Sequence, residues 1–484
     1  MRVDKVGYSL VAVAIYLASM VALGIAVSRR SKSFNDYAVA GRRLGFVMAY
    51  ATILATWFGT GLAMGGASMA YSFGLRGVIM DPIGAGLSIL LFGLFFASIL
   101  RRRGYITIAD FFRDRYGSRM EALSAVVQVL AYMGWSASLL VTFGTILKVF
   151  TGVSYTYGLL IGVAVTIAYT TIGGLWSVVY TDLIQAGLLV AGILALFLVV
   201  LDEVGGLSVF GSTIPWDALS ILPEKGFGYL GYCGAMGAAF YISSWLVQGL
   251  GAVNSQDLVQ RAAASRDESV ARKSALAASF SYIILGLIPA LIGIMATQIY
   301  PSMDNPDEVI PKLAVDLLPT PLFTLFAVGI LAALMSSADS AILVPSVVAA
   351  ENIAPALGLG RSERGKLVIA RLMVPVISIL ALAIALKAPT IYMLMNLSWE
   401  LILMTHAVPF IAGLISSKPN EKTVVTAVAA GLALWVLLSA YVYPATYSVE
   451  GDMEWAIWDA IYIAAPLALL VEAMIVGIAG KLSK

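Results

Sequence analysis

Long apolar runs, separated by short polar turns, recur along the whole chain. Thirteen stand out, at 8–28, 43–70, 77–100, 120–150, 156–173, 176–201, 228–262, 274–298, 321–352, 365–387, 390–415, 422–443 and 456–478. Each is near or above the roughly 20 residues that a helix needs to cross a bilayer. Nothing between them is long enough to be a soluble domain, so 1–484 reads as one all-α integral membrane domain. Two of the runs are interrupted by glycine: ATWFGTGLAMGG at 55–66 and GLGAVNSQ at 249–256. A broken helix in lipid frees backbone groups, tolerable only where protein or a bound solute satisfies them. Glycines also serve close helix packing, but two breaks at matching places in two halves point to a five-plus-five inverted repeat with a central site. The repeats would cover 43–201 and 228–415. The run at 8–28 and the two within 422–478 would be peripheral.

Composition sharpens this picture. The chain is 60% hydrophobic and only 12% charged, against about 45–50% and about 25% in soluble domains. Cations cluster in alternate loops, as Arg29, Arg30 and Lys32, then Arg101, Arg102 and Arg103, then Arg266, Arg272 and Lys273. The intervening loops carry acids such as Asp304, Asp307, Glu308, Glu450, Asp452 and Glu454. By the positive-inside rule this predicts a multi-pass protein of the cell membrane, N-terminus outside and C-terminus cytoplasmic. A net charge of +2 argues against nucleic-acid binding, and the single Cys233 and His406 exclude an internal disulfide, a thiolate cluster or a histidine metal site. No triad, metal cluster or phosphate loop marks an enzyme.

Polar residues inside the apolar runs carry the functional signal. The stretch LAALMSSADSAILVPS at 331–346 sets Ala333, Ser336 and Ser340 on one helix face, with Ser337 and Asp339 beside it. A lone serine bonds back to its own helix or glues two helices; three serines and an aspartate on one arc suit a hard, releasable cation. Asp182, in GGLWSVVYTDLIQ at 173–185, must be paired, protonated or bound to a cation. Asp81 precedes Pro82 and is expected to cap a helix. Arg371 is expected to snorkel to the inner face, and His406 to be a satisfied bundle histidine. Trp57 lies in the first break and Trp135 mid-span, where aromatic faces can hold organic cations.

These residues resemble the sodium:solute symporters, the family of the proline, pantothenate, sialic-acid and glucose symporters. The matching pieces are FNDYAVAGRRLG (34–45), ATWFGTG (55–61), GGLWSVVYTDLIQ (173–185), LVQRAAA (258–264) and LAALMSSADS (331–340). The resemblance covers roughly residues 30–415. It implies an inverted-repeat bundle, and a sodium site made by the carbonyls of Ala55, Phe58 and Ala333 and the hydroxyls of Ser336 and Ser337. A second cation or proton site, present in some members, would correspond to Asp182 and Ser340, with Asp339 beside it. The likeness is greatest to the high-affinity choline-transporter branch, through the DPIG turn, GLFFA (93–97), RRRGYIT and MSSADSAIL. Trp57 and Trp135 match two walls of that branch's aromatic cage; Ala85 and Ser255 stand at the other two. A quaternary ammonium would then lose half its cation–π contacts, each worth roughly 0.5–2 kcal/mol. Solute contacts are expected from Trp57, Gly59, Gly61, Trp135, Asn254 and Ser255, and the polar second break favours an amino acid or small carboxylate.

The sequence thus points to a sodium-coupled symporter importing a small polar organic solute by alternating access. It is expected to act as a monomer or weak homodimer with no cofactor beyond the coupling ion. Proton coupling through Asp182 or Asp339 and choline-type uptake are the alternatives. A channel would need a symmetric pore, and a sensor would need a signalling domain that the tail after 478 is too short to supply.

Overall fold

The computed structural model describes residues 2–59, 61–387, 391–415 and 420–482. Thr60 of the first break, the start of the expected run at 390 and positions 416–419 of the expected inner loop lie outside the described residues. Among the described residues the backbone is almost entirely helical, with only isolated bridges outside helices. That is what lipid demands, since a helix satisfies its own amides and carbonyls.

We number the helices used below in chain order: α1 (Arg2–Val27), α2 (Phe46–Trp57), α3 (Ser118–Thr151), α4 (Tyr155–Glu203), α5 (Gly234–Gly249), α6 (Gln256–Ala264), α7 (Glu268–Ile299), α8 (Thr320–Val348), α9 (Glu363–Ala385), α10 (Ile391–Ile415), α11 (Glu421–Glu450) and α12 (Met453–Leu482). Among the described residues, eleven stretches are long and apolar enough to cross a membrane, against the thirteen runs expected. The difference has a physical cause. The runs 156–173 and 176–201 form one helical stretch, Tyr155–Glu203, while the run 43–70 is split by its break: Phe46–Trp57 is left as a short helix and the remainder continues into the next run as Gly61–Arg103. Within α4 the chain reverses at Gly174, with φ 55 and ψ −145. A Cβ there would lie 2.5 Å from the Tyr37 ring, so only glycine fits this turn. The polar ends are stopped by local chemistry. Ser33 with Asp36, and Thr107 with Asp110, form capping boxes, while Asp267, Ser362 and Asn420 cap α7, α9 and α11.

Both glycine-rich segments break their helices. The first ends α2 at Trp57; Phe58 leaves the helix at φ −79, ψ 62, and helical structure resumes at Gly61. The second ends α5 at Gly249, makes a short turn over Gly251–Asn254, and passes through extended Ser255 into α6. Between them runs α8, buried at every residue from Gly329 to Val348. It packs against α1, α2, α3, α4, α6 and α9, which makes it the central strut of the bundle. The outer faces present apolar side chains such as Phe280, Ile284, Leu372, Val436 and Leu437, as a lipid-facing surface should.

Candidate functional site

The site forms where the two breaks meet α8. At the end of α2 the amide of Gly59 donates to the Trp57 carbonyl at 2.8 Å, and so turns away from Ala55, its partner in a continued helix. The carbonyl of Thr56 instead receives the Ser337 hydroxyl at 2.8 Å. This approach needs a glycine at 59, because a Cβ would stand 2.6 Å from Ser337 Oγ. Ala333, one turn earlier on α8, and Phe58 are both buried beside this contact. Of the residues expected at an ion site, Ser337 meets the first break directly, with Ala55, Phe58 and Ala333 buried on the two elements that cross there, while Ser336 turns aside. Its hydroxyl donates to Asp182 Oδ1 at 2.5 Å, and Thr52 donates to Asp182 Oδ2. Asp182 thus lies fully buried with both oxygens engaged by hydroxyls.

The second-cation residues divide between two neighbourhoods. Ser340 faces α2 and α6. It lies 3.1 Å from Thr56 Oγ1 and receives Arg261 Nη2 at 2.5 Å, while the same Nη2 donates to Thr56 Oγ1 at 2.9 Å. Asp339 points the other way, where Oδ1 accepts from the Tyr169 hydroxyl of α4 and Oδ2 is buried without a partner. Asp182, Asp339 and Arg261 nonetheless share one buried patch of the bundle. Arg261 is the large contribution that sequence reasoning missed. Its signal was present in LVQRAAA, an arginine that, beside Gln260, interrupts a run of small or apolar residues.

Beyond the crossing lies a cavity of about 50 Å³ walled by Trp57, Trp135, Tyr282 and Trp399. The ring centroids stand 6.2 Å apart for Trp57 and Tyr282, 6.1 Å for Trp57 and Trp399, and 5.5 Å for Trp135 and Trp399. Gly59, Gly61, Ser337 and Ala85 complete parts of the lining, and Asp81 supplies a carboxylate. Asp81 does not cap a helix: it accepts from the Tyr282 hydroxyl at 2.6 Å and faces the cavity. Neither Asn254 nor Ser255 lines this space. Asn254 lines a separate apolar cavity of about 230 Å³ with Phe95, Phe96 and Phe410, and the Ser255 hydroxyl is buried without a partner. Trp57 and Trp135 do reach the cavity, but the remaining aromatic walls come from Tyr282 on α7 and Trp399 on α10. In an apolar span an aromatic residue that faces a cavity looks like one that packs a bundle, which is why Trp399 and Tyr282 carried no signal.

Four further ionisable residues, His406, Arg371, Glu400 and Glu472, do not line this cavity. His406 bonds Ser124 at 2.8 Å and Thr405 at 2.7 Å, as a satisfied bundle histidine. Arg371 donates to the carbonyls of Ser31 and Ile172. Glu400 and Glu472 are buried with no hydrogen-bond partner.

Residues 37–431 match the sequence profile of the sodium:solute symporter family. Among curated proteins, the chain is 28% identical over 411 residues to High-affinity choline transporter 1 of Drosophila melanogaster. That match covers 81% of this chain but only 64% of the fly protein. The human High affinity choline transporter 1 is 28% identical over 453 residues, covering 88% of this chain and 76% of that protein. The sodium/pantothenate symporter of Escherichia coli is 24% identical over 437 residues, covering 88% and 89%. Among solved structures, a Na+-coupled sialic acid symporter in a substrate-bound outward-open state superposes with a TM-score of 0.80 at 20% identity, covering 97% of each chain. A nucleobase-cation-symport-1 family transporter superposes at 0.54 and 16% identity, over 91% of this chain and 94% of that one. These structural likenesses establish a shared fold.

Proposed function

The chain belongs to the sodium:solute symporter family, and we propose that it is a sodium-coupled symporter that imports a small organic cation by alternating access. One observation carries this reading: Ser337 lines the aromatic cavity and at the same time bonds Thr56 of the first break. An ion held by the carbonyls of Ala55, Phe58 and Ala333 and the hydroxyls of Ser336 and Ser337 would order the segment that carries Trp57. The solute wall and the ion site then share one stretch of backbone, and each ligand stabilises the arrangement that the other needs.

The cavity favours a cation. Three tryptophans and a tyrosine line it, and Asp81 brings a carboxylate to the same space. Aromatic faces attract ammonium groups by about 0.5–2 kcal/mol each. The loss of two walls at Ala85 and Ser255 is offset by Trp399 and Tyr282, so a small ammonium fits better than the amino acid or carboxylate that the second break favoured. The closed volume of about 50 Å³ is smaller than the several hundred Å³ of typical ligand pockets, so the walls must part when solute enters.

Orientation follows the cation distribution, with the N-terminus outside and the C-terminus cytoplasmic in the cell membrane. The stretches 43–201 and 228–415 would be the two inverted repeats, each beginning with a broken helix. Proton coupling is the second reading, and the unpartnered Asp339 Oδ2 favours it. Uptake of radiolabelled choline into proteoliposomes separates the two. Sodium coupling predicts uptake driven by an inward sodium gradient and abolished in Ser336→Ala plus Ser337→Ala. Uptake that ignores sodium and follows an inward proton gradient would remove the sodium assignment.

A further inference from the structure

Helix α6 is buried at each of its nine residues, yet it carries four polar side chains of length or charge. Three of them tie the helix to its surroundings. Gln256 accepts from the Ile108 amide at 2.6 Å, Gln260 donates to the Ala38 carbonyl at 2.7 Å, and Arg261 binds Thr56 and Ser340. Asp257 does something different. Its Oδ2 accepts from the indole N–H of Trp57 at 2.5 Å, and its Oδ1 accepts from the hydroxyl of Tyr132. Trp57 is a wall of the central cavity. Tyr132 packs edge-on against the other two tryptophan walls, 5.6 Å from Trp135 and 6.1 Å from Trp399.

Asp257 therefore stands behind the aromatic cage. It cannot touch a solute, because the rings lie between. It acts through them in two ways. The two hydrogen bonds fix the planes of Trp57 and Tyr132, which decides where the electron-rich ring faces point. The negative charge also adds its field to that of the rings in a space with little water to screen it. Arg261, on the same helix, gives its guanidinium to Thr56 and Ser340, and at longer range to the Asp257 carbonyl at 3.5 Å and Gln260 at 3.4 Å; it does not line the cavity and makes no contact with the Asp257 carboxylate.

Resting on the reading that this cavity binds a small organic solute, we infer that Asp257 is a specificity-determining positioning residue, whose carboxylate behind Trp57 and Tyr132 makes the cavity prefer a cation over an uncharged molecule of the same shape. The neutral carbon isostere of choline, 3,3-dimethyl-1-butanol, differs from it only in the charged centre and supplies the control.

The test measures binding of both compounds to the purified full-length protein at saturating sodium. The wild-type protein is expected to bind choline more tightly than the isostere. Asp257→Asn keeps the size of the side chain and removes the charge; it is expected to weaken choline binding about tenfold and to change isostere binding by less than about twofold. A purely structural role would move both ligands together, and that outcome, or no change in either, overturns the inference. Should Asp257→Asn fail to insert, Tyr132→Phe answers the same question, because it keeps every ring and leaves the carboxylate with one donor fewer. It is expected to hold the choline preference at or above the wild-type level; a fall to parity overturns the inference. Wild-type protein that binds neither compound would instead defeat the organic-cation reading itself.

Discussion

Gly59 shows how narrowly single atoms constrain the proposed ion site. A methyl group there would lie 2.6 Å from Ser337 Oγ, a distance that side-chain carbons do not occupy, so Ser337 would have to leave Thr56. The Thr56 carbonyl would then be buried without its donor, a cost of about 1–3 kcal/mol. Gly59→Ala is expected to raise the sodium concentration for half-maximal uptake by about tenfold or more, while the protein still reaches the membrane. A sodium titration of uptake checks this, and an unchanged half-maximal concentration would separate Ser337 from the ion site. Legibility at this scale follows from contrast. Ser336, Ser337, Ser340 and Asp182 stood out because three hydroxyls gather on one arc of a span, where a lone one would bond its own helix, and an acid within an apolar run must be paired, protonated or bound. Asp257 and Arg261 stand near the end of their span, where charge looks like the beginning of a loop. Asp81 was obscured by its proline, which resembles the start of a helix.

Two short segments are tied down by long-range hydrogen bonds. Helix α6 is held by Gln256 and Gln260 to the segments at 106–108 and at Ala38, and a Leu44 amide bond to the Ala264 carbonyl at 3.0 Å closes its end. Gln256→Ala removes both the acceptor for the Ile108 amide and the donor to the Ile106 carbonyl. Hydrogen exchange at 104–112 and 256–264 is expected to quicken by about tenfold or more, with α8 unchanged; slow exchange at both would show that this contact does not hold α6 to the 106–108 segment. Elsewhere Arg76 is clamped by Asp217, by Glu224 at 2.9 Å and by the Leu222 carbonyl at 2.8 Å. The Arg76 hydrogen bond holds the Asp217 carboxyl below its usual range, and the guanidinium charge acts the same way. A group lowered on folding contributes its stability above the unfolded value of about 4 and loses it as pH falls through the lower folded value. The loop at 214–232 is therefore expected to lose protection, measured against the intrinsic exchange rate at each pH, below about pH 4, and Asp217→Asn to be poorly protected already at neutral pH with little further loss of protection on acidification. An Asp217→Asn loop that stays protected at neutral pH would remove Asp217 from the clamp. The sequence made the inner loops conspicuous through their arginines, but neither clamp was legible, since each joins residues more than a hundred positions apart.

At the scale of the whole molecule, the fold was the most legible part of the chain. Lipid forces every span to be helical and apolar, so the helical class and the two breaks could be read from local pattern, though not the division into spans, where eleven stretches stand against thirteen runs. What pattern did not supply was which faces meet, and so which rings wall the cavity. Those faces matter because the first break carries both Trp57, in the cage, and the carbonyls that would hold sodium. Coupling in such an arrangement is a single free energy shared by two sites. If sodium raises the affinity for choline by some factor, choline must raise the affinity for sodium by the same factor. Thermal unfolding of the detergent-purified protein, titrated with each ligand at several fixed levels of the other against a potassium background of equal ionic strength, measures both factors. A ligand at a hundred times its dissociation constant stabilises by about 2.7 kcal/mol, a shift that is easily resolved. Equal factors well above one are expected. Equal factors of one would mean that each ligand binds without moving the first break, and would leave the shared backbone between Ala55 and Gly59 with no part in coupling. A sodium effect on choline that disappears in Ser336→Ala plus Ser337→Ala, while choline still binds, would assign the coupling to this crossing rather than to the charge of the medium.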